Sequence, residues 1–189
     1  MIRIGFSTSE AAVSKAIRAA THARVSHAFL TYPDPELGID VVMEAWWDGL
    51  IIRPLKLVRQ TSEVVALVDP IIPLDVGLRF LAKNYLGLPY DYAGLVGFPY
   101  VLLCRACGRH PSNPLHNAKA VFCSEAVTIA LHESGYPGVS ALMPECTSPQ
   151  DLFEFLAADH RLERSVGGVA LRPATTRIHL LRRDDNPAA

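Results

Sequence analysis

The sequence has almost no net charge. Its 18 Lys and Arg residues are matched by 19 Asp and Glu residues, which gives a formal net charge of -1 at pH 7. A protein that binds nucleic acid through a broad basic surface needs a clear excess of Lys and Arg. The balance therefore argues against that class of protein, and we expect no nucleic-acid partner.

Long apolar runs and cysteines are also scarce. The strongest apolar run, Ala93 to Cys104, is too short to cross a bilayer as a helix. The first ten residues reach polar side chains at once and contain no secretory h-region. Without such a signal, 4 cysteines favour free thiols in a reducing compartment. We therefore expect a cytoplasmic protein without a transmembrane segment.

Apolar sequence, by contrast, is abundant. Half of the 189 residues are apolar and only 20% are charged, which is enough for the core of one domain. We place that domain at residues 1–183 and expect a disordered tail at 184–189. The strands are predicted from runs of β-branched and aromatic residues, at Met1–Phe6, Val25–Tyr32, Asp40–Trp47, Leu50–Val58, Glu63–Val68 and Arg177–Leu181. Asp48-Gly49 between two of these runs predicts a hairpin.

Helical patterns lie mainly in the second half. They are predicted at Ala11–Ala20 after a capping signal at Ser7–Glu10, at Pro73–Tyr85, Tyr92–Leu103 and Ser124–Ser134, and from Pro149 to about Ala158. A long polar loop is predicted at Arg105–Ala118. Strands followed by helices indicate an α+β fold with a mostly antiparallel sheet packed against helices.

The motif Phe122-Cys123-Ser124-Glu125 opens one of the predicted helices. A thiol there lies among unpaired backbone N–H groups at the positive end of the helix dipole. That environment lowers a thiol pKa and favours the thiolate, which attacks carbonyl carbons. Cys123 is therefore a candidate nucleophile, and its alternative role is that of a small buried hydrophobe.

A nucleophilic cysteine needs a base, and the base needs an orienting group. His27 shares a strand face with Val25 and Phe29, where a titratable ring requires a partner or a function. Glu44 has a similar position in the next strand, where a carboxylate is costly unless paired. The pattern alone favours an ordinary core histidine over a catalytic base, and Glu44 could equally be a buried acceptor. His132 is excluded because nine helical residues separate it from Cys123, on the opposite face.

These motifs follow one another in an order that resembles the permuted NlpC-like (YiiX-type) branch of the papain-like cysteine hydrolases. The resemblance spans roughly Ser26 to Leu156 and includes Gly87-Leu88-Pro89-Tyr90-Asp91. It implies a permuted papain-like fold in which the strand block precedes the cysteine helix. The stretch before Ser26 departs from the family pattern, because a predicted helix replaces the usual Gly-Asp strand entry.

The same resemblance assigns roles to four residues. It makes Cys123 the nucleophile, His27 the base and Glu44 the orienting group. It also sets Tyr90 beside the thiol, where the phenol would help to bind substrate or the oxyanion. A core aromatic that packs at a helix start is an equal alternative for Tyr90.

The resemblance implies a cysteine hydrolase that needs no cofactor. It would cleave an amide of peptide or peptidoglycan type, an ester or a thioester through an acyl-enzyme. One alternative is a lipid-directed acyltransferase or thioesterase on the same triad, with Leu95–Leu103 in peripheral contact with a membrane. The other is a catalytically inactive binding module.

One further motif has zinc-type donors. Cys104, Cys107 and His110 follow a Cys-x-x-Cys-x-x-His spacing, with His116 further along. Cys104 ends an apolar helix, however, and the remaining spacings fit no zinc finger or ribbon. We therefore predict that this segment holds no metal.

Overall fold

The computed structural model describes residues 1–11, 14–15, 18, 23–165 and 178–181, with the backbone alone for 159–165. Within that part of the chain the fold is α+β, as predicted, with one antiparallel sheet and five α-helices. The strands are β1 (Arg3–Thr8), β2 (His27–Asp34), β3 (Ile39–Trp46), β4 (Gly49–Pro54), β5 (Glu63–Val68) and β6 (Ile178–Leu180). The α-helices are α1 (Leu55–Thr61), α2 (Asp75–Asn84), α3 (Tyr92–Ala106), α4 (Cys123–Glu133) and α5 (Pro149–Ser165).

The sheet has the strand order β4-β3-β2-β1-β5-β6, and each neighbouring pair is antiparallel. The predicted hairpin is confirmed: Trp46 pairs with Gly49 across the β3–β4 turn. Gly49 has φ 111°, and a Cβ at this position would lie 2.0 Å from the carbonyl oxygen of Leu88. Only glycine fits both the backbone conformation and this close approach.

Both faces of the sheet are covered by apolar side chains. The larger core contains side chains of β1, β2 and β3 together with Val127 and Leu131 of α4. A smaller core on the other face includes Phe29 and Val42, with Leu55 and Val58 of α1 packed against them. The sheet thus supports α4 on the side of the larger core.

Three helix boundaries follow from local chemistry. Ser148 and Asp151 form the predicted capping box of α5, with backbone-to-side-chain hydrogen bonds of 2.9 and 3.1 Å. Gly135 follows the end of α4 with φ 67°, as expected of a left-handed cap. The helix predicted from Tyr92 continues to Ala106, past the expected end at Leu103.

Two predictions of secondary structure were wrong. The strand predicted over Leu50–Val58 ends at Pro54, and Leu55 begins α1. Leu55 and Val58 are one helical turn apart, so both reach the smaller core from a helix. The capping signal at Ser7–Glu10 is misplaced, because Ser7 and Thr8 complete β1. Within the predicted helix Ala11–Ala20, the described residues Ser14, Lys15 and Arg18 are helical. Most of Ala11–Ala20 and all of the predicted tail, 184–189, lie outside the described residues.

The segment before α3 is fastened to two other parts of the chain. The backbone N–H of Leu50 donates to the carbonyl of Leu88, and the backbone N–H of Gly87 donates to the carbonyl of Leu50, each at 2.9 Å. Val121 donates to Pro89 and accepts from the backbone N–H of Asp91. These bonds hold the residue between them, Tyr90, beside the entry to α4. None of the described helices is both long and apolar enough to span a bilayer.

Candidate active site

Cys123 is the first residue of α4, and Phe122 caps the helix in an extended conformation. The side chain is buried, with 3% of the residue exposed. Burial alone would raise the pKa of the thiol. The charge of His27, its hydrogen bond, and the backbone N–H groups of Ala28 and Ser124 together lower that pKa below its usual range. The surroundings therefore stabilise a thiolate.

His27 begins β2 and contacts the thiol directly. Burial alone would lower the pKa of its imidazole, because a buried charge is poorly solvated. The negative charge and hydrogen bond of Cys123, followed by those of Glu44, outweigh burial and raise this pKa to about 10. Both shifts favour a thiolate–imidazolium pair over a neutral thiol and a neutral imidazole.

Glu44 lies on β3 with its carboxylate fully buried. Its Oε2 hydrogen-bonds His27 Nε2 at 2.6 Å. Burial alone would raise the pKa of this carboxyl, but His27 and then Arg53 lower it by hydrogen bonding and charge. A buried, ionised carboxylate of this kind keeps its charge only because it is paired. The imidazole is therefore fixed between Cys123 and Glu44.

Arg53 on β4 is a site residue that the sequence prediction missed. Its Nε donates a hydrogen bond to Glu44 Oε1, and its guanidinium lies 4.6 Å from the centre of the Trp46 ring. Such a position suits cation–π attraction. The signal was the register of the predicted hairpin, since Arg53 pairs with Val42, on the same strand face as Glu44.

Tyr90 lies where the resemblance predicts it. Burial is the largest cause that raises the pKa of its phenol, followed by the charge of Cys123 and a hydrogen bond to that side chain. The phenol therefore stays protonated and can donate to the thiolate. The structure thus brings together all four predicted site residues: Cys123, His27, Glu44 and Tyr90.

A cleft of about 320 Å³ opens beside this cluster. His27 and Tyr90 both line the cleft and hydrogen-bond the thiol of Cys123, which is not itself a lining residue. The lining includes hydroxyl side chains, such as those of Ser26 and Ser62. It also includes the aromatic and apolar side chains of Trp46, Trp47, Tyr92 and Leu95. A substrate would therefore meet both polar and apolar groups beside the candidate triad.

The other residues with metal-binding side chains lie in two separate parts of the structure. Cys104 lies in the last turn of α3, Cys107 follows it, and His110 is exposed in the loop beyond. The absence of metal from this segment stays a prediction. His116 instead faces two buried carboxylates, Asp91 and Glu125. No sequence pattern predicts this group, because its three residues come from separate segments of the chain.

Glu125 also caps α4. Its Oε2 accepts a hydrogen bond of 3.2 Å from the backbone N–H of Phe122. Burial is the main cause that raises the pKa of this carboxyl to about 8. The hydrogen bond from Phe122 lowers the pKa, and the negative charge of Asp91 raises it.

No protein-family model matches this sequence, and no curated protein matches it at a significant level. The likeness to the permuted NlpC-like branch therefore depends on the order of the motifs quoted above and stays a prediction.

Proposed function

We propose that this chain is a cysteine hydrolase with a permuted papain-like fold, which cleaves an amide, ester or thioester. One observation carries the proposal: a thiol at a helix N-terminus contacts a histidine whose ring is hydrogen-bonded to a buried carboxylate. The order of these residues along the chain, His27, Glu44 and Cys123, is the order of the family that the sequence resembles.

The reaction begins with the thiolate–imidazolium pair. The Cys123 thiolate attacks the carbonyl carbon of the substrate, and the carbonyl oxygen becomes an oxyanion. The unpaired N–H of Cys123 at the helix start and the phenol of Tyr90 donate to this oxygen. The intermediate then collapses and expels the leaving group, which takes a proton from His27. An acyl-enzyme with a thioester bond remains.

Water completes the cycle. Neutral His27 accepts a proton from water as the oxygen attacks the thioester carbonyl. Collapse of this second intermediate releases the carboxylic acid product and restores the pair. Throughout, Glu44 holds the ring in one orientation, and Arg53 holds Glu44.

The test compares the wild-type chain with Cys123→Ala on peptide, peptidoglycan-fragment and acyl-ester substrates. Cys107→Ala is the matched control, because it removes an exposed thiol. We expect hydrolysis by the wild type and the control but not by Cys123→Ala. Iodoacetamide at mildly acidic pH should label Cys123 ahead of the other three thiols, as read by mass spectrometry. Equal labelling of all four, with no hydrolysis of any substrate class, would favour an inactive binding module.

A second candidate function uses the same triad on a lipid acyl chain. Tyr92, Val96, Tyr100 and Leu103 lie on one face of α3, and each is about half exposed or more. The ring of Trp47, also half exposed, stacks on Tyr92 at 6.4 Å between ring centres. Trp47 and Tyr92 also line the cleft, so this apolar surface continues into the candidate site.

Flotation with lipid vesicles separates the two candidates. A lipid-directed acyltransferase or thioesterase should float with neutral phospholipid vesicles, and Val96→Glu should abolish flotation. Leu37→Glu is the control, since Leu37 is similarly exposed on the turn after β2. A wild-type chain that stays at the bottom of the gradient would count against the lipid-directed function.

A further inference from the structure

A second group of reactive side chains lies where the loop after α3 meets the first turn of α4. Asp91, His116 and Glu125 each offer one potential ligand atom, and these three atoms lie within 4.8 Å of one another. The two carboxylates are buried, with 1% of Asp91 and 3% of Glu125 exposed. The His116 side chain is 29% exposed, so solvent reaches the group from that side.

The distances in this group do not suit hydrogen bonds. His116 Nδ1 lies 3.5 Å from Asp91 Oδ2 and 3.4 Å from Glu125 Oε1. A good hydrogen bond to nitrogen is about 2.7–3.2 Å long. Metal–ligand bonds of about 2.0–2.1 Å in a tetrahedral site separate the ligand atoms by about 3.4 Å. The ring therefore stands at nearly the same distance from both carboxylates, with the spacing of ligands around a cation.

Backbone N–H groups orient both carboxylates. Gly94 donates to Asp91 Oδ1 at 2.8 Å, and Asn117 donates to Asp91 Oδ2 at 3.1 Å. Phe122 donates to Glu125 Oε2, which leaves Oε1 facing the ring. Metal-ligating carboxylates are typically held in this way by hydrogen bonds from outside the site.

The donor atoms of the group suit a cation. Two buried carboxylates share one imidazole. Buried carboxylates are stable when they are paired, protonated or bound to a metal. A donor set of one nitrogen and two oxygens suits zinc and its neighbours, whereas magnesium prefers oxygen ligands and keeps several waters.

We propose that Asp91, His116 and Glu125 bind one divalent cation of the zinc type, with a fourth position open to solvent beside His116. This site is separate from Cys104 and Cys107. The bound cation would link the loop that carries His116 to Glu125 of α4, which lies two residues after Cys123. The proposal does not depend on the hydrolase function.

The test uses the full chain with Cys123→Ala as the parent, because the Cys123–His27 pair could itself bind zinc. After treatment with a chelator, the parent is titrated with Zn²⁺ by calorimetry. We expect one saturable site, and His116→Ala should weaken it by at least about 100-fold, since even outer partners of a ligand contribute 10- to 100-fold. His110→Ala is the matched control, an exposed histidine of the same loop, and should bind as the parent does.

Two further measurements identify the ligands. Cobalt bound at this site should give an absorption spectrum without a thiolate charge-transfer band. Zinc should also raise the melting temperature of the parent but not that of His116→Ala, because a ligand stabilises the state that binds it. The proposal is overturned if no site saturates, if His116→Ala and His110→Ala bind alike, or if cobalt shows a thiolate band.

Discussion

Glu44 carries the interactions that fix the imidazole at the candidate site. Its carboxylate is the partner of both His27 and Arg53. Glu44→Gln retains the shape of the side chain but removes the charge that helps to raise the His27 pKa. We expect turnover to fall between about 10-fold and 10⁴-fold. The alkaline limb of the pH–rate profile should also move to lower pH, because the imidazolium loses a stabilising anion. An unchanged alkaline limb would mean that Glu44 acts on packing alone.

Arg53 should matter for stability as well as for activity. A buried charge left without any partner costs about 3–5 kcal/mol in the free energy of unfolding. Arg53→Ala leaves the Glu44 carboxylate with His27 as its remaining partner, so we expect a smaller loss that still lowers the urea midpoint. Arg53→Lys should be intermediate, because it retains the charge but not the planar contact with Trp46. Arg79→Ala, at an exposed position of α2, should leave the midpoint nearly unchanged. Equal effects of the three substitutions would contradict this role.

At the scale of elements, α2 and α4 approach each other closely at Gly77. A Cβ there would lie 2.0 Å from the backbone oxygen of Ala130, so α2 and α4 could not keep their present separation. Crowding of this kind typically costs about 1–3 kcal/mol, which exceeds the roughly 0.5–1 kcal/mol that alanine contributes within a helix. Gly77→Ala should therefore lower the free energy of unfolding in urea denaturation. An increase would mean that the helices move apart easily.

The individual helices and strands also show which features of the fold could be predicted from the sequence. The cap of α5 and the hairpin at Gly49 depend on neighbouring residues, so their patterns were sufficient. The helix from Leu55 to Thr61 was missed because Leu55 and Val58 satisfy both a strand-like composition and a helical spacing. The contact of Arg53 with Glu44 could have been inferred from the register of the predicted hairpin. The contact of His116 with Asp91 depends on the path of a loop, which no local pattern specifies. The triad was predicted from the resemblance to the permuted NlpC-like branch, and the structure adds the geometry of its three residues.

At the scale of the whole molecule, the thiolate–imidazolium pair predicts how stability depends on pH. The His27 pKa is raised from 6.5 to about 10, so its contribution is complete below pH 6.5 and is lost as the pH rises toward 10. The Cys123 pKa is lowered from 9.0, so its contribution is present above pH 9.0 and is lost as the pH falls. Between pH 6.5 and 9.0 the two trends cancel, since the pair and the unfolded chain bind one proton each.

We therefore expect the contribution of the pair to the free energy of unfolding to be constant between pH 6.5 and 9.0 and smaller on either side. This contribution is the difference, measured by urea denaturation, between the wild type and the double variant Cys123→Ala/His27→Ala. Glu125, whose pKa is raised to about 8, titrates in both proteins, so most of its effect cancels. A neutral Cys123 would leave the His27 titration unopposed, and the difference would then decline steadily from pH 6.5 upward. That decline would contradict the thiolate–imidazolium pair, because a constant contribution requires a proton already transferred from sulfur to the ring.

The near-complete burial of Cys123 also restricts which electrophiles can reach its sulfur in the folded protein. The rate of alkylation should depend on the cross-section of the reagent as well as on its intrinsic reactivity. A slender haloacetamide should reach the sulfur, whereas a branched reagent of equal reactivity toward a free thiol should react far more slowly. In urea the two rates should converge. The same geometric filter would act on acyl groups, so unbranched acyl chains should reach the sulfur faster than bulky ones.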